Sequence, residues 1–292
     1  MEKEEKVSVK LSFIVTVIER DFEDLLRLIE SYKDLTECSE TELIIEAESL
    51  SEKSVERLRK YVEEVPQVRW FMNPNTSRCW RKDLGMLHAE SDYLAYIDAD
   101  CVFQKVYYLE IRKLLGKHRV IRGKNIYQAE KNYLSMCNKA YRTLCDEVVF
   151  RNETFTPNLV IRKDFLKKNG GWATDNTDSG DDYTLSQRLK QRDNFTIAHC
   201  DKAILEIKNS RDEKWEKISR TWKGYGKAYQ VRRKNAGECN LKSFLQYIPP
   251  FVYRRTAPFS YFPMAIVNWV VLFTGYCEQI ITERKKGEKN GS

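Results

Sequence analysis

Residues 93–100 read Tyr-Leu-Ala-Tyr-Ile-Asp-Ala-Asp, and this stretch decides the fold. Its first five residues are apolar or aromatic, which predicts a short strand buried on both faces of a sheet. Asp98 and Asp100 follow that strand directly. Because ligands of open parallel sheets bind outside the carboxyl ends of the strands, both aspartates are candidate ligand contacts.

The chain before this stretch alternates between apolar, β-rich runs and segments with helical spacing. The apolar runs predict three further strands, at residues 11–18, 42–45 and 68–72. Apolar residues at helical spacing predict helices that follow these strands, at residues 22–32, 55–62 and 81–89. Strict alternation of this kind predicts an α/β fold with a doubly wound parallel sheet.

Asp98 and Asp100 have the chemistry of a divalent metal site. Two carboxylates at the end of an apolar strand repel each other and are costly to desolvate unless a cation compensates them. Side chains alternate along a strand, so these two can face the same way. Oxygen ligands suit Mg²⁺ or Mn²⁺, which can bridge to the phosphates of a substrate. The alternative is an ordinary solvated turn.

A second motif combines Gly170-Gly171-Trp172 with Asp181 and Asp182, which stand at the start of a predicted helix. The helix dipole stabilises negative charge at that end. Asp182 can therefore be a general base that takes a proton from an acceptor hydroxyl. An acidic helix start without any function is the alternative, because acidic residues are common there.

Taken together in this order, these motifs resemble those of the family 2 inverting glycosyltransferases, which have the GT-A fold. The family pattern runs from a first strand, through Asp-x-Asp, to a Gly-Gly-aromatic turn and an acidic-Asp-x-x-Leu-x-x-Arg-Leu helix, and the chain matches it over about residues 11 to 230. The resemblance implies a Rossmann-like domain at 11–235 with a mixed, mostly parallel sheet. It also implies a nucleotide-sugar donor and Mn²⁺ or Mg²⁺ as cofactor.

The resemblance also implies roles for individual residues. Donor binding falls to Ile18, Glu19, Glu48, Arg78, Arg81, Lys82, Asp98 and Asp100; a solvated basic face is the alternative for the three basic residues among them. Metal binding falls to Asp98, Asp100 and Glu206, although relatives often carry His at the last of these positions. The sugar or acceptor pocket takes Asn158, Gly171, Trp172 and Asp181, and Asp182 is the catalytic base. The segment that closes over the diphosphate takes Arg211, Arg220 and Lys223, and for the last two the polar face of an amphipathic helix is the alternative.

The C-terminal part has a membrane-seeking pattern. Residues 262–277 are almost entirely apolar, but a complete span needs roughly 20 such residues. Arg254 and Arg255 precede this run and Lys285 and Lys286 follow it, which fits two ends that face one anionic leaflet. We expect membrane-associating helices over 236–283 that lie in the interface, between a flexible N-terminus at 1–10 and a basic, flexible tail at 284–292. A tilted span and a core-packed helix or dimer interface are the alternatives.

The net charge and the membrane-seeking C-terminal part indicate which classes of partner and acceptor to expect. The 292-residue chain has a formal net charge of +7, which favours an anionic partner, but its basic residues form no patch around a nucleic-acid motif. We therefore expect no nucleic acid, and a lipid-linked or polyprenyl-phosphate acceptor at the cytoplasmic face of the cell membrane. A resemblance to dolichol-phosphate mannose synthases favours GDP-mannose over UDP-sugars. A soluble saccharide acceptor, or an inactive nucleotide-binding membrane protein, is the alternative.

Overall fold

The structure of the protein is a computed structural model. It describes residues 10–35, 38–129, 132–149, 151–172, 181–193, 195–208, 215–216, 218–220, 222–224, 226–227 and 262–290. The chain divides into two compact units, which are residues 1–128 with 152–210 and residues 129–151 with 211–292. The predicted domain boundary at 235 and 236 lies outside the described residues.

The first unit contains an eight-stranded sheet. Its strands are β1 (Leu11–Val17), β2 (Thr41–Ala47), β3 (Val68–Met72), β4 (Tyr93–Asp98), β5 (Cys101–Phe103), β6 (Val120–Tyr127), β7 (Leu159–Arg162) and β8 (Ala198–Ile207). The strand order is β3-β2-β1-β4-β7-β6-β8-β5. Strands β1 to β4 are parallel, whereas β7 runs antiparallel to both of its neighbours. The predicted α/β class with a mixed, mostly parallel sheet is confirmed.

Helices lie between these strands and after them. In the first unit they are α1 (Phe22–Lys33), α2 (Glu52–Glu63), α3 (Arg78–His88), α4 (Tyr107–Arg112), α6 (Lys163–Lys168) and α7 (Asp181–Asp193). The second unit contains α5 (Tyr133–Leu144), a π-helical turn (Cys145–Val149) and α8 (Phe262–Asn290). Strand β8 is a single strand from Ala198 to Ile207. Its exposed residues Asp201 and Lys202 remain within the strand, because a water-facing position tolerates polar side chains.

Each face of the sheet has its own hydrophobic core. Phe13 and Val15 of β1 point towards α1 and α4, while Ile14 points to the opposite face, where α3, α6 and α7 pack. Gly85 lets α3 approach the sheet closely, since a Cβ atom at this position would lie 2.5 Å from Cγ2 of Ile14. This close approach brings the basic first turns of α3 to the carboxyl ends of β1 and β4.

The second unit has a small core of its own, built from Tyr141, Trp222, Leu272 and Tyr276 with their neighbours. The ring centroids of Tyr141 and Trp222 lie 4.1 Å apart in an edge-to-face arrangement. Helix α8 continues to Asn290, beyond the predicted start of a flexible tail at 284, and the Glu-Arg-Lys-Lys run there consists of good helix formers. None of the helices that the structure describes has both the length and the apolar character needed to cross a bilayer.

Candidate functional site

Asp98 and Asp100 lie at the carboxyl end of β4, beside the end of β1. Asp98 is the last residue of the strand and is paired in register with Thr16. Asp100 follows in a turn, where its carbonyl oxygen accepts a hydrogen bond of 2.8 Å from the backbone N–H of Lys208. Both aspartates are half-buried, whereas Ala99 between them is buried. The sheet thus places the two carboxylates at the edge where ligands bind.

Arg78, in the first turn of α3, connects the two acidic motifs. Its guanidinium donates a hydrogen bond of 2.8 Å to Oδ1 of Asp181, yet 41 % of its side chain is exposed. The negative charge of Asp181 raises the pKa of Arg78 well above its ordinary value, and Asp98 and Asp182 add to this effect. Arg78 is therefore a cation that interacts with both Asp98 and Asp182, and its side chain is partly exposed.

Lys82, one turn further along α3, is buried with Asp181. Its Nζ donates a hydrogen bond of 2.6 Å to Oδ2 of Asp181, and the two side chains are 5 % and 1 % exposed. Burial alone would raise the pKa of Asp181, but Lys82 and Arg78 more than offset it and hold the pKa well below the ordinary range. The carboxylate of Asp181, predicted to line the acceptor pocket, is enclosed by these two cations. Lys82, predicted to contact donor phosphates, faces that carboxylate.

The Gly-Gly-Trp turn ends α6 and directs Trp172 into the core. Gly171 has a φ of +67°, and a Cβ atom there would lie 2.6 Å from a carboxylate oxygen of Asp83. The same Asp83 oxygen accepts a hydrogen bond of 2.8 Å from the backbone N–H of Trp172. The buried indole packs edge-on against Tyr96 and carries Nζ of Lys82 3.9 Å from its ring centroid. Trp172, predicted to line the sugar or acceptor pocket, is therefore internal and packs against Lys82, while Gly171 contacts Asp83.

Asp182, the predicted base, is the second residue of α7 and is half-buried. Its backbone carbonyl accepts a hydrogen bond of 2.7 Å from the hydroxyl of Thr154, a residue that is fully buried. The backbone N–H of Thr154 in turn donates to the hydroxyl of Ser186, one turn further along α7. The loop before β7 thus holds the first turn of α7 independently of the ion pairs of Asp181.

Glu48 and Arg81 form an ion pair at the carboxyl end of β2. Nη1 of Arg81 donates a hydrogen bond of 2.9 Å to Oε2 of Glu48, and it also bonds to the carbonyl oxygen of Thr76. Arg81 is buried, while Glu48 is 41 % exposed. Of the three basic residues predicted to contact donor phosphates, Arg81 and Lys82 are therefore buried against carboxylates, and Arg78 has the exposed side chain.

Glu19, predicted to bind the donor, holds the start of α2. Its carboxylate accepts hydrogen bonds of 2.8–2.9 Å from the backbone N–H and hydroxyl of Ser51 and from the hydroxyl of Ser54. Burial alone would raise the pKa of Glu19, but these hydrogen bonds lower it overall. Ile18, just before it, is half-buried and accepts a backbone hydrogen bond from Asp21. The Glu19 carboxylate is thus engaged by helix α2.

Glu206, the predicted third metal ligand, lies on β8 opposite Val102 of β5. Its carboxylate accepts hydrogen bonds from the amides of Gln104, at 3.5 Å, and Gln128, at 3.1 Å. Within the described ranges, no three His, Cys, Asp or Glu side chains converge on a point that could hold a metal ion. The arrangement therefore offers the Asp98–Asp100 pair as the oxygen donors at the end of β4.

Asn158, predicted to line the sugar pocket, is fully buried and has a φ of +77°. Its side-chain oxygen accepts a hydrogen bond of 2.6 Å from the hydroxyl of Tyr107. Its side-chain nitrogen donates to the carbonyl oxygens of Lys124, at 3.1 Å, and Ala203, at 3.3 Å. Asn158 consequently joins β6, β7 and β8 to α4, and it presents no surface to a ligand.

The predicted closing segment falls outside the first unit. Arg211 is outside the described residues. Arg220 is exposed, and Lys223 forms an ion pair with Glu278 of α8. Both therefore have the character of surface residues of the second unit.

A cleft of about 310 Å³ lies between α3 and the turn after α6. Its lining is mainly apolar and includes Trp80, Leu84, Leu87 and the backbone of Gly171, with Lys167 at its edge. Trp80 and Leu87 are exposed, at 49 % and 60 %. The same Gly171 that contacts Asp83 on one side thus borders an open apolar surface.

Several residues near the site were missed in the sequence. Glu46 is fully buried beneath α3 and accepts hydrogen bonds from Asn73 and from Nδ1 of His88. Burial raises the pKa of Glu46, although these two partners oppose the rise. The regular alternation of Glu42, Ile44 and Glu46 along β2 was a signal that all three face α3. Asp83 and Thr154 had no comparable signal, because their partners are distant in sequence.

Comparison with protein-family models gives a match over about half of the chain. The sequence model described as "Glycosyl transferase family 2" matches residues 12–155. This range includes the Asp98–Asp100 pair and the basic turns of α3. No curated protein shows significant sequence similarity to the chain.

Solved structures share the fold at low sequence identity. The mannosyltransferase PcManGT from Pyrobaculum calidifontis, in complex with GDP-Man and Mn²⁺, has a TM-score of 0.66 at 9% identity, covering 94% of this chain and 87% of that one. TarS 1-349 from S. aureus has a TM-score of 0.54 at 14% identity, covering 95% of this chain and 92% of that one. Its complex with UDP-GlcNAc gives 0.53 at 13% identity, with the same coverage. These similarities show that the chain has the glycosyltransferase fold of these proteins.

Proposed function

Starting from the premise that this chain belongs to glycosyl transferase family 2 and is a glycosyltransferase, we propose a specific reaction for it. It transfers a sugar, with inversion, from a nucleotide-sugar donor to a lipid-linked or polyprenyl-phosphate acceptor. The transfer depends on Mn²⁺ or Mg²⁺. The enzyme works at the cytoplasmic face of the cell membrane as a peripheral or monotopic protein.

The observation that carries the proposal is the position of Arg78 between two acidic motifs. Arg78 is half-exposed, and its charge interacts with Asp98 of the β4 pair and with Asp182 of α7. A diphosphate near the β4 carboxylates would contact this guanidinium. A cation held in place there stabilises the negative charge that develops on the leaving diphosphate in the transition state. Asp182 then belongs to the same site as the leaving group.

The donor set at β4 fits a divalent metal. Asp98 and Asp100 offer carboxylate oxygens, which Mn²⁺ and Mg²⁺ prefer, and such ions take their remaining ligands from water and substrate phosphates. Two half-buried carboxylates at one strand end also need a compensating cation. The bound metal would supply neutralisation of the charge on the nucleoside diphosphate.

The chain's own residues would support a single in-line displacement. The acceptor oxygen forms a bond to the anomeric carbon as the bond to the diphosphate oxygen breaks, and the electron pair leaves with the diphosphate. Asp182 accepts the proton when the acceptor is a hydroxyl. A lipid phosphate, whose second pKa is about 6, is already ionised near neutral pH, so Asp182 would then orient it. Asp182→Asn should abolish transfer to a hydroxyl but leave measurable turnover with a phosphate acceptor.

The proposed donor is GDP-mannose, in preference to a UDP-sugar. One support is the resemblance of Asp98-Ala99-Asp100 and of the short C-terminal membrane element to those of dolichol-phosphate mannose synthases. The other is the fold shared with PcManGT, which was solved with GDP-Man and Mn²⁺. TarS was solved with UDP-GlcNAc, which makes UDP-GlcNAc the natural comparison donor.

Two apolar surfaces support a lipid acceptor. The cleft beside Gly171 exposes Trp80 and Leu87. In the second unit, α8 exposes Ile266, Val267 and Val270 along its N-terminal half. Apolar helix faces next to basic residues suit the interface of an anionic membrane. A soluble saccharide acceptor would need neither surface.

Release of nucleoside diphosphate tests the proposed function. The full chain is incubated with GDP-mannose or UDP-GlcNAc, with Mn²⁺ or with EDTA, in the presence and absence of polyprenyl-phosphate vesicles. We expect Mn²⁺-dependent release of GDP that the vesicles increase. Faster release of UDP than of GDP would contradict the proposed donor, and no release from either donor would support the alternative of an inactive nucleotide-binding protein.

Asp100→Asn gives the sharpest variant for this assay. Loss of one oxygen ligand should lower metal-dependent release by at least about a hundred-fold, because several kcal/mol of charge stabilisation are lost. Asp92→Asn is the matched control, since Asp92 is exposed just before the first residue of the same strand. Equal rates for the two variants would refute the role of Asp100.

A further inference from the structure

The buried pair of Lys82 and Asp181 does not serve ligand binding directly. Lys82 is enclosed between the Asp181 carboxylate, 2.6 Å from its Nζ, and the face of Trp172, whose ring centroid is 3.9 Å away. To reach a phosphate, Lys82 would have to leave a buried carboxylate unpaired, and breaking a buried ion pair in this way is strongly unfavourable. Its contacts are therefore those of a residue that holds another residue in place.

The indole of Trp172, on which Lys82 packs, is itself held in place. Trp172 is fixed by the hydrogen bond from its backbone N–H to Asp83 and by its packing against Tyr96. Asp83 also lies against Gly171, where no larger residue would fit. Two consecutive residues of α3 thus contribute to holding Asp181: Asp83 positions the indole, and Lys82 lies between the indole and Asp181.

These contacts constrain the position of Asp182, which follows Asp181 in the first turn of α7. The first turn of α7 is tethered to α3 through Asp181, which binds both Lys82 and Arg78, and to the loop before β7 through the hydrogen bond from Thr154 to the Asp182 carbonyl. These connections to α3 and to the loop before β7 fix the backbone position from which the Asp182 side chain extends. Reaction rates are sensitive to such placement, because a displacement of about 1 Å can reduce the rate about a hundred-fold.

We propose that Lys82 is a positioning residue, which lies between Trp172 and Asp181, holds Asp181 in place and so fixes the catalytic carboxylate of Asp182 relative to the donor. Lys82 makes no contact with the donor phosphates, and Arg78 is the basic residue of α3 that faces them. The catalytic part of this inference rests on the proposed function, whereas the anchoring of α7 does not.

The test compares Lys82→Met with Lys113→Met, a control that removes an exposed lysine paired with Glu110 on the surface. Hydrogen–deuterium exchange of residues 181–193 reports the anchoring of α7, and calorimetric titration with GDP and Mn²⁺ reports phosphate binding. For Lys82→Met we expect faster exchange at the start of α7, a GDP dissociation constant within about two-fold of wild type and at least about ten-fold slower release of GDP from GDP-mannose. Lys113→Met should match wild type in all three.

Weaker GDP binding with unchanged exchange would overturn the inference, since that is the result of losing a phosphate contact. Absence of GDP release by the wild-type chain would refute the proposed function, while the exchange result would still decide the anchoring role. If Lys82→Met does not fold, Lys82→Met/Asp181→Leu removes both buried charges and should fold. Wild-type turnover in this double variant would contradict the inference, and Lys82→Arg, which keeps the charge, should recover most of the protection.

Discussion

Two buried carboxylates beside α3, those of Asp181 and Glu46, have pKa values shifted in opposite directions, although burial alone would raise both. Asp181 is paired with Lys82 and Arg78, and its pKa is well below the ordinary value even though burial alone would raise it. Glu46 is equally inaccessible, but its partners are the amide of Asn73 and the imidazole of His88, and its pKa is raised by burial. Both carboxylates lie near the carboxyl ends of the strands.

The difference shows that permanent cations, more than burial, decide the charge state in this part of the protein. Two cations hydrogen-bonded to Asp181 more than offset its desolvation, whereas His88, Asn73 and the charge of Arg81 offset that of Glu46 only in part. The region around Asp181 is thus held in one ionised arrangement. A carboxylate that stays ionised in this way is suited to hold Asp182 in place, whereas the partners of Glu46 do not fully offset the cost of burying its charge.

The largest expected effect comes from removing the Asp181 charge. Asp181→Ala leaves Lys82 buried without its partner, and the free energy of unfolding should fall by about 3–5 kcal/mol. Denaturant unfolding measures this loss. Asp164→Ala, which breaks an exposed ion pair with Arg162, should lower it by less than about 1 kcal/mol. A similar loss of unfolding free energy in both variants would show that the buried ion pairs of Asp181 stabilise the protein no more than an exposed ion pair does.

The acid dependence of Asp181 gives an effect of intermediate size. Because its pKa in the folded state is lowered, the ionised carboxylate contributes stability that is complete above the ordinary value of 3.8 and is lost as the pH falls towards the folded-state pKa. The difference in unfolding free energy between wild type and Asp181→Asn should therefore be the same at pH 7 and pH 5, and smaller at pH 3. A difference that grows on acidification would have the wrong sign.

The smallest expected effect comes from Glu46→Gln. A raised folded-state pKa means that the protonated form contributes stability below the ordinary value of 4.5, and that this contribution is lost as the pH rises through the folded-state pKa. Glutamine avoids the loss, so the variant should gain up to about 1 kcal/mol relative to wild type between pH 5 and pH 8. Thermal unfolding across this range measures the gain.

Glu42→Gln sharpens the same comparison on the same strand. Glu42 is buried on the same face of β2 as Glu46, but it is paired with Arg69. This substitution should destabilise the protein at neutral pH, because it removes the buried carboxylate of Arg69 and leaves only the more distant, exposed Glu90 as its ion-pair partner. Stabilisation by both substitutions would show that the cation is irrelevant on this strand.

Some of the candidate site could be predicted from local sequence. Asp98 and Asp100 follow an apolar strand, and their place at the sheet edge follows from the strand itself. Asn158 and Trp172 illustrate the limit, because a motif gives their order in the chain but not the direction of their side chains. Asn158 hydrogen-bonds to three elements and Trp172 packs on Tyr96, so both are internal.

The sequence by itself determined the α/β class, the first four strands and the aspartates at the end of β4, because hydrophobic periodicity and strand ends are local properties. The tertiary structure decided which charges are paired. Lys82 and Asp181 are separated by 99 residues and Arg78 and Asp181 by 103, so no local pattern connects them. Only the packing of α3 and α7 on one face of the sheet brings them together, and it leaves Arg78 as the cation that faces solvent.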